Sequence, residues 1–172
     1  MIGKGALAAL VAVASLSACA STATHDTAGP AAMSHPEGAI FDPSVDAHAA
    51  VDAALATAQS EDTLVLVVMG ANWCHDSRAL ASYLMEPELA ALLDEHYEVV
   101  TINVGLPQTG DGFNLGVAER FGVTSEGTPN VLVLDGEGQL LNSQEDAVSW
   151  RNSASRTSAA VLATLQDWAD AG

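Results

Sequence analysis

Residues 63–69 read Thr-Leu-Val-Leu-Val-Val-Met, an apolar run with no polar residue alternating through it. A strand with one solvated face alternates apolar and polar side chains, so this run predicts a strand covered on both faces. The patterns around it occur in the order helix, strand, helix, strand, helix, hairpin, helix. That order predicts an α/β architecture: a mixed central sheet of about four strands with helices on both faces and a C-terminal β-hairpin.

Asp42-Pro43 reads as an N-cap followed by a first-turn proline, opening a helix through about Gln59 with Val51, Leu55 and Ala58 on one face. His48 lies in that helix and is assigned no role. Gly70-Ala71-Asn72 ends the apolar strand, and Trp73 and Cys74 precede a helical pattern marked by Leu80, Tyr83 and Leu84. Pro87 removes a helix hydrogen bond, which predicts a kink or restart, with Leu89, Leu92 and Leu93 continuing the buried face to His96. Glu98 to Val104 is a second β-rich run, followed by a loop from Gly105 to Asn114 and a short helix to Phe121 that Gly122 terminates. Val131 to Leu134 and Gln139 to Leu141 flank Asp135-Gly136-Glu137-Gly138, a hairpin signal. Gln144 to Arg156 reads as polar loop. The last helix opens at Thr157 and carries Val161, Leu165 and Trp168 on one stripe.

The start of the chain reads differently. Lys4, the apolar run Ala6 to Leu16 and the small residues after it form an export leader, too short to span a bilayer. Leu16-Ser17-Ala18-Cys19 resembles the lipobox of bacterial lipoprotein precursors. That resemblance implies cleavage after residue 18 and acylation of Cys19 by more than one chain, which makes anchoring stable. Ala20 at the next position is similar to outer-membrane sorting signals, so the expected location is lipid-anchored on the periplasmic side of a bacterial membrane, the outer one. The alternative is an ordinary secretory signal ending in Ala18-Cys19-Ala20, which releases the protein into the periplasm. Residues 19–38 are rich in Ala, Ser, Thr, Gly and Pro and read as a flexible tether, leaving 39–172 as one domain. His25 and His35 fall in the tether and read as solvated.

Lys4 is the only lysine, and the 172 residues carry a net charge of −17. All 22 acidic residues lie beyond the leader, which argues against nucleic acid as a partner and repels anionic substrates. With Cys19 acylated or removed, Cys74 has no partner within the chain, so the domain is held by packing rather than by a disulfide.

Two local motifs narrow the fold. Trp73-Cys74-His75-Asp76-Ser77 directly follows the apolar strand, and Thr128-Pro129 opens the next-to-last strand. On these motifs and the hairpin followed by a helix, residues from about Ile40 to Ala169 resemble the thioredoxin superfamily. A thiol at a helix N-terminus faces unpaired backbone N–H groups and the positive end of the helix dipole, which favour thiolate. Arg78 adds to that field, and Asp76 opposes it. Ser77, one turn after Cys74, either donates its hydroxyl to the sulfur or satisfies backbone groups at the helix start. The resemblance implies a cis peptide bond at Thr128-Pro129, bringing extended backbone beside the sulfur for a substrate segment to pair with.

Two departures from the family pattern matter. Its dithiol members carry a second cysteine where Ser77 stands, and often a buried acid where Val68 stands. The resemblance therefore implies single-thiol chemistry: Cys74 attacks a disulfide or an oxidised cysteine, and an external thiol reductant releases the mixed disulfide. Trp73, His75, Thr128 and Pro129 are the candidate substrate-binding residues, with Cys74 and Ser77 catalytic. No cofactor is expected. No metal is expected either, since adjacent Cys74 and His75 do not share a helix face. The motif does not match that of the monothiol glutaredoxins that handle iron–sulfur clusters. The alternative is a non-catalytic protein that holds a partner's extended segment beside Cys74 and Pro129, with Cys74 as a redox sensor.

Overall fold

The computed structural model describes residues 40–105 and 113–172. The leader, the tether with Cys19, His25 and His35, and most of the loop expected from Gly105 to Asn114 lie outside the described residues.

The apolar run forms β1 (Leu64–Gly70), buried at every position. It is the centre of a three-stranded mixed sheet. β2 (Tyr97–Asn103) pairs with it in parallel, and β3 (Asn130–Leu134) pairs antiparallel on its other side. Period-two alternation divides β1 between two cores. Leu64, Leu66 and Val68 point to one face, where they meet α2 (His75–Leu84), α3 (Pro87–His96) and α6 (Ser158–Ala171). Val65, Val67 and Met69 point to the other, under α1 (Ala47–Glu61), α4 (Leu115–Arg120) and α5 (Gln144–Val148). Both faces are covered, as the unbroken run requires.

Three expectations are corrected. The fourth strand is reduced to a single antiparallel bridge between Leu134 and Leu140, so the expected hairpin is a turn and a short return. In that turn Asp135 Oδ1 accepts the N–H groups of Glu137 and Gln139, and Gly138 takes a positive φ of 80°. The first helix is capped by Asp46, which accepts from the N–H of Ala49, and not by Asp42. The Asp42 carboxylate instead accepts from the backbone and hydroxyl of Ser44, which closes a separate turn and holds its carboxyl below the usual carboxylate range. Finally, the segment expected as polar loop is helical. Ser143 and Asp146 form a reciprocal capping box for α5, and a 3-10 helix follows at Ser149–Ser155. Its Trp150 is wholly buried, tilted against Trp168 with ring centroids 5.9 Å apart and covered by the Arg156 guanidinium at 4.2 Å.

Pro87 acts as read: one helix ends at Leu84 and another restarts with the proline in its first turn. Gly122, with φ of 77°, follows α4 as its stop.

Candidate functional site

β1 ends at Gly70, and the chain turns through Ala71, Asn72 and Trp73 into α2. Phe41 forces this exit: its wholly buried ring lies where a Cβ on Gly70 would come within 2.3 Å. Asn72 fixes the turn through its amide, donating to the Phe41 carbonyl at 2.9 Å and accepting the Phe41 N–H at 3.1 Å. Arg78, one turn into α2, reaches back and donates to the Asn72 carbonyl at 3.0 Å. Asp76 accepts the N–H of Ala154 at 2.9 Å, tying the start of α2 to the 3-10 segment.

Cys74 is the N-cap residue of α2, with extended backbone and no capping bond from its side chain. The residue is 9% exposed, and its sulfur lies at the helix N-terminus with the thiol directed at the Thr128 carbonyl 3.5 Å away. The Thr128–Pro129 peptide bond is cis. The motifs at 73–77 and 128–129, more than fifty residues apart in sequence, are thus brought together in one site.

Ser77 is wholly buried, and its hydroxyl faces the Thr128 hydroxyl at 3.3 Å. Thr128 in turn donates to the Met69 carbonyl at 3.2 Å. A threonine hydroxyl has one hydrogen, so Ser77 is the donor in this pair. Its hydrogen runs along a chain from Ser77 to Thr128 to the end of β1, not to the sulfur. Of the two sequence alternatives for Ser77 the structure shows neither; the residue locks the Thr128–Pro129 loop onto the active strand. Val68 faces the same core as α2, buried among apolar side chains. His75 is exposed on the first turn.

Trp73 is 45% exposed and donates its indole N–H to the Gly105 carbonyl at 2.6 Å. Behind the proline, Asn130 is wholly buried and donates to Ser125 Oγ and to the Gly127 carbonyl, shaping the approach to Thr128. A Cβ on Gly127 would come within 2.8 Å of the Arg151 stem and displace that side chain, whose guanidinium donates to the Glu126 carbonyl. Asn130 and Arg151 escaped sequence reasoning because they bond within the 125–127 loop, which has no periodic pattern, and the bond of Asp76 to Ala154 did so because it closes over 78 residues. Among the described residues no group of three or more His, Cys, Asp or Glu is placed to hold a metal ion.

The family model described as thioredoxin-like matches residues 46–136, more than half of the chain and the whole of the Cys74 turn. The chain belongs to the thioredoxin-like family. Among solved structures, this thioredoxin-like chain is similar to one described as a disulphide isomerase from Xylella fastidiosa Temecula1. The two share 29% identity with a TM-score of 0.67 over 74% of this chain and 95% of that one. It is also similar to a thioredoxin from Thermus thermophilus, at 22% identity and a TM-score of 0.44, over 67% of this chain and 80% of that one. No curated protein matches.

Proposed function

We propose that this thioredoxin-like protein exchanges protein disulfides through one cysteine, and that isomerisation is the reaction best suited to it. The observation that carries the reading is the pairing of Cys74, at a helix N-terminus and 3.5 Å from the Thr128 carbonyl, with Ser77 in the place of a resolving thiol. The similarity to a chain described as a disulphide isomerase supports it.

The Cys74 thiolate attacks one sulfur of a substrate disulfide; that S–S bond breaks and its electron pair leaves on the other sulfur as a thiolate. The product is a mixed disulfide between Cys74 and the substrate. Ser77 has no thiol to displace it. In isomerisation a second thiolate of the same substrate attacks the substrate sulfur of the mixed disulfide, forms the new substrate disulfide and restores Cys74, with no net oxidation. In reduction an external thiolate attacks the Cys74 sulfur and expels the substrate as a thiolate, and a second external thiolate attacks the sulfur of the first and expels the Cys74 thiolate, leaving the substrate reduced, Cys74 restored and the two external thiols joined as a disulfide. The Thr128 carbonyl, 3.5 Å from the sulfur, offers an acceptor to a substrate N–H, aligning the disulfide beside the sulfur.

Rates of scrambled-disulfide rearrangement, measured with and without glutathione for the wild type and Cys74→Ala, test this reading. Rearrangement should vanish in Cys74→Ala, and equal rates in the two proteins would overturn it. A second reading, a binding or redox-sensing protein, is favoured by the 9% exposure of Cys74. Iodoacetamide alkylation separates the two: fast modification supports exchange, and a sulfur alkylated no faster than one buried in a core supports binding.

We also propose that the domain is tethered through acylated Cys19 to the periplasmic side of a bacterial membrane. Detergent-phase partitioning lost in Cys19→Ala would support the anchor, and partitioning that survives the substitution would contradict it.

A further inference from the structure

Cys74 is delivered to α2 by a turn closed on itself: its N–H donates to the Ala71 carbonyl at 3.0 Å, which makes Asn72 and Trp73 the two central residues. Each of these is held from outside the turn. The Asn72 amide binds the Phe41 backbone at both ends, and the Trp73 indole N–H donates to the Gly105 carbonyl at 2.6 Å.

Both supports lead to one side chain. Asn103, the last residue of β2, stands opposite Gly70 in the parallel pairing, where β1 ends. Its Nδ2 donates to the Phe41 carbonyl at 2.8 Å, and its Oδ1 accepts the Gly105 N–H at 2.7 Å. Asn72, Phe41, Asn103, Gly105 and Trp73 thus form a closed ring of hydrogen bonds, completed by the Asn72–Trp73 peptide bond. Asn103 is fixed in turn by Asn114, which donates to its carbonyl at 2.9 Å. The join needs a donor at one end and an acceptor at the other, which a planar amide supplies and a carboxylate does not.

We propose that Asn103 is a positioning residue for Cys74: by joining the Phe41 and Gly105 supports it fixes both central residues of the turn, and through them the place of the sulfur against the Thr128 carbonyl. It acts through the turn and not on the sulfur. Thr128 is held separately, through its hydroxyl contacts with Ser77 and the Met69 carbonyl, so the loss of the Asn103 amide moves one half of the site against the other. A substrate that uses only the sulfur tolerates such a shift, whereas one aligned on the Thr128 carbonyl does not, because misplacement of reacting groups by about 1 Å costs up to roughly a hundredfold in rate. The inference rests on the exchange reading for the reaction that Asn103 serves.

The test compares two uncharged reagents on the full chain carrying Cys19→Ser: dithiodipyridine, and an extended peptide whose cysteine bears a thiopyridyl group. In each the Cys74 thiolate attacks a disulfide sulfur and expels the same pyridinethiolate, so the reagents differ only in the peptide backbone. Asn103→Ala should lower the ratio of the peptide rate to the dithiodipyridine rate by at least about tenfold. It should also shift the NMR signal of the Trp73 indole N–H. Tyr97→Phe, at the other end of β2, is the control for a purely structural effect and should leave both the ratio and the signal as in the parent. A ratio that falls no further in Asn103→Ala than in Tyr97→Phe overturns the positioning role, since general loosening of the fold changes access to the sulfur for both reagents alike. Should Asn103→Ala not fold, Asn103→Asp, which loses the Phe41 donor and keeps the Gly105 acceptor, carries the same comparison with the same outcomes. A parent protein that does not react with the peptide counts against exchange. The indole signal then decides the role of Asn103: a signal unmoved by its replacement overturns it, and a moved one upholds its hold on the turn.

Discussion

Ser77 stands where a resolving thiol would have to be, and its only hydrogen is spent on Thr128. In the proposed exchange this divides the labour within one helical turn: Cys74 is the attacking sulfur, and Ser77 holds the loop against which the sulfur lies. Ser77→Cys should therefore add a self-release step. The variant is expected to lose its mixed disulfide without added glutathione, measured by intact mass against time, whereas the wild-type adduct persists until a thiol is supplied. At Gly70 the constraint is steric. Gly70→Ala forces a methyl group into the Phe41 ring, and overpacking of this kind costs about 1–3 kcal/mol, readable as a lower denaturant midpoint. The residues of the candidate site were legible because each lies in a short motif: Trp73 and Cys74 after a strand, Thr128 and Pro129 before one. Phe41, Asn72 and Asn103 were not, because their bonds close over 31 to 62 residues and leave no local pattern.

At the scale of elements, Tyr97 joins the start of β2 to α6 by donating its hydroxyl to the Leu165 carbonyl at 2.6 Å. Burial and, secondarily, the charge of Asp170 raise its pKa well above that of a free tyrosine. The folded chain thus keeps a proton that the unfolded chain releases near pH 10, so stability is intact below that pH and declines as pH rises above it. Tyr97→Phe should flatten this alkaline decline while lowering stability at neutral pH by about 1 kcal/mol, checked by urea unfolding at several pH values. Elements with a strong period or an apolar run, β1, β3, α3 and α6, were legible in the sequence. The region 144–155 was not, because its helices are short and mostly polar, and only the Ser143–Asp146 spacing and the lone Trp150 hinted at them. Asp42-Pro43 misled for a related reason: the carboxylate that resembles a cap is taken by Ser44 two residues on, and the helix waits for Asp46. The fourth strand stops at one bridge, Leu134 with Leu140, framed by the Leu141 N–H on the Val133 carbonyl and the Asp135 N–H on the Gln139 carbonyl, and Leu141 is 41% exposed.

The whole domain rests on two apolar layers with no disulfide among the described residues. Dithiothreitol should leave the melting temperature unchanged. The net charge of −17 acts the other way, as self-repulsion in the compact state that salt screens. Raising sodium chloride from about 0.01 to 0.15 M shortens the Debye length from roughly 30 to 8 Å, so the melting temperature should rise over that interval. A flat response would show that the carboxylates are too dispersed to strain the fold.

The claim that organises all three scales is that Cys74 forms a mixed disulfide which the chain cannot resolve by itself. The direct measurement is intact mass spectrometry of the reduced Cys19→Ser protein mixed with a disulfide-bonded substrate, followed over time before and after addition of glutathione. The account predicts one substrate adduct per chain, on Cys74, that persists until the thiol is added and then disappears. No adduct, or an adduct that is released at the same rate without glutathione by a substrate lacking any further cysteine, would contradict it.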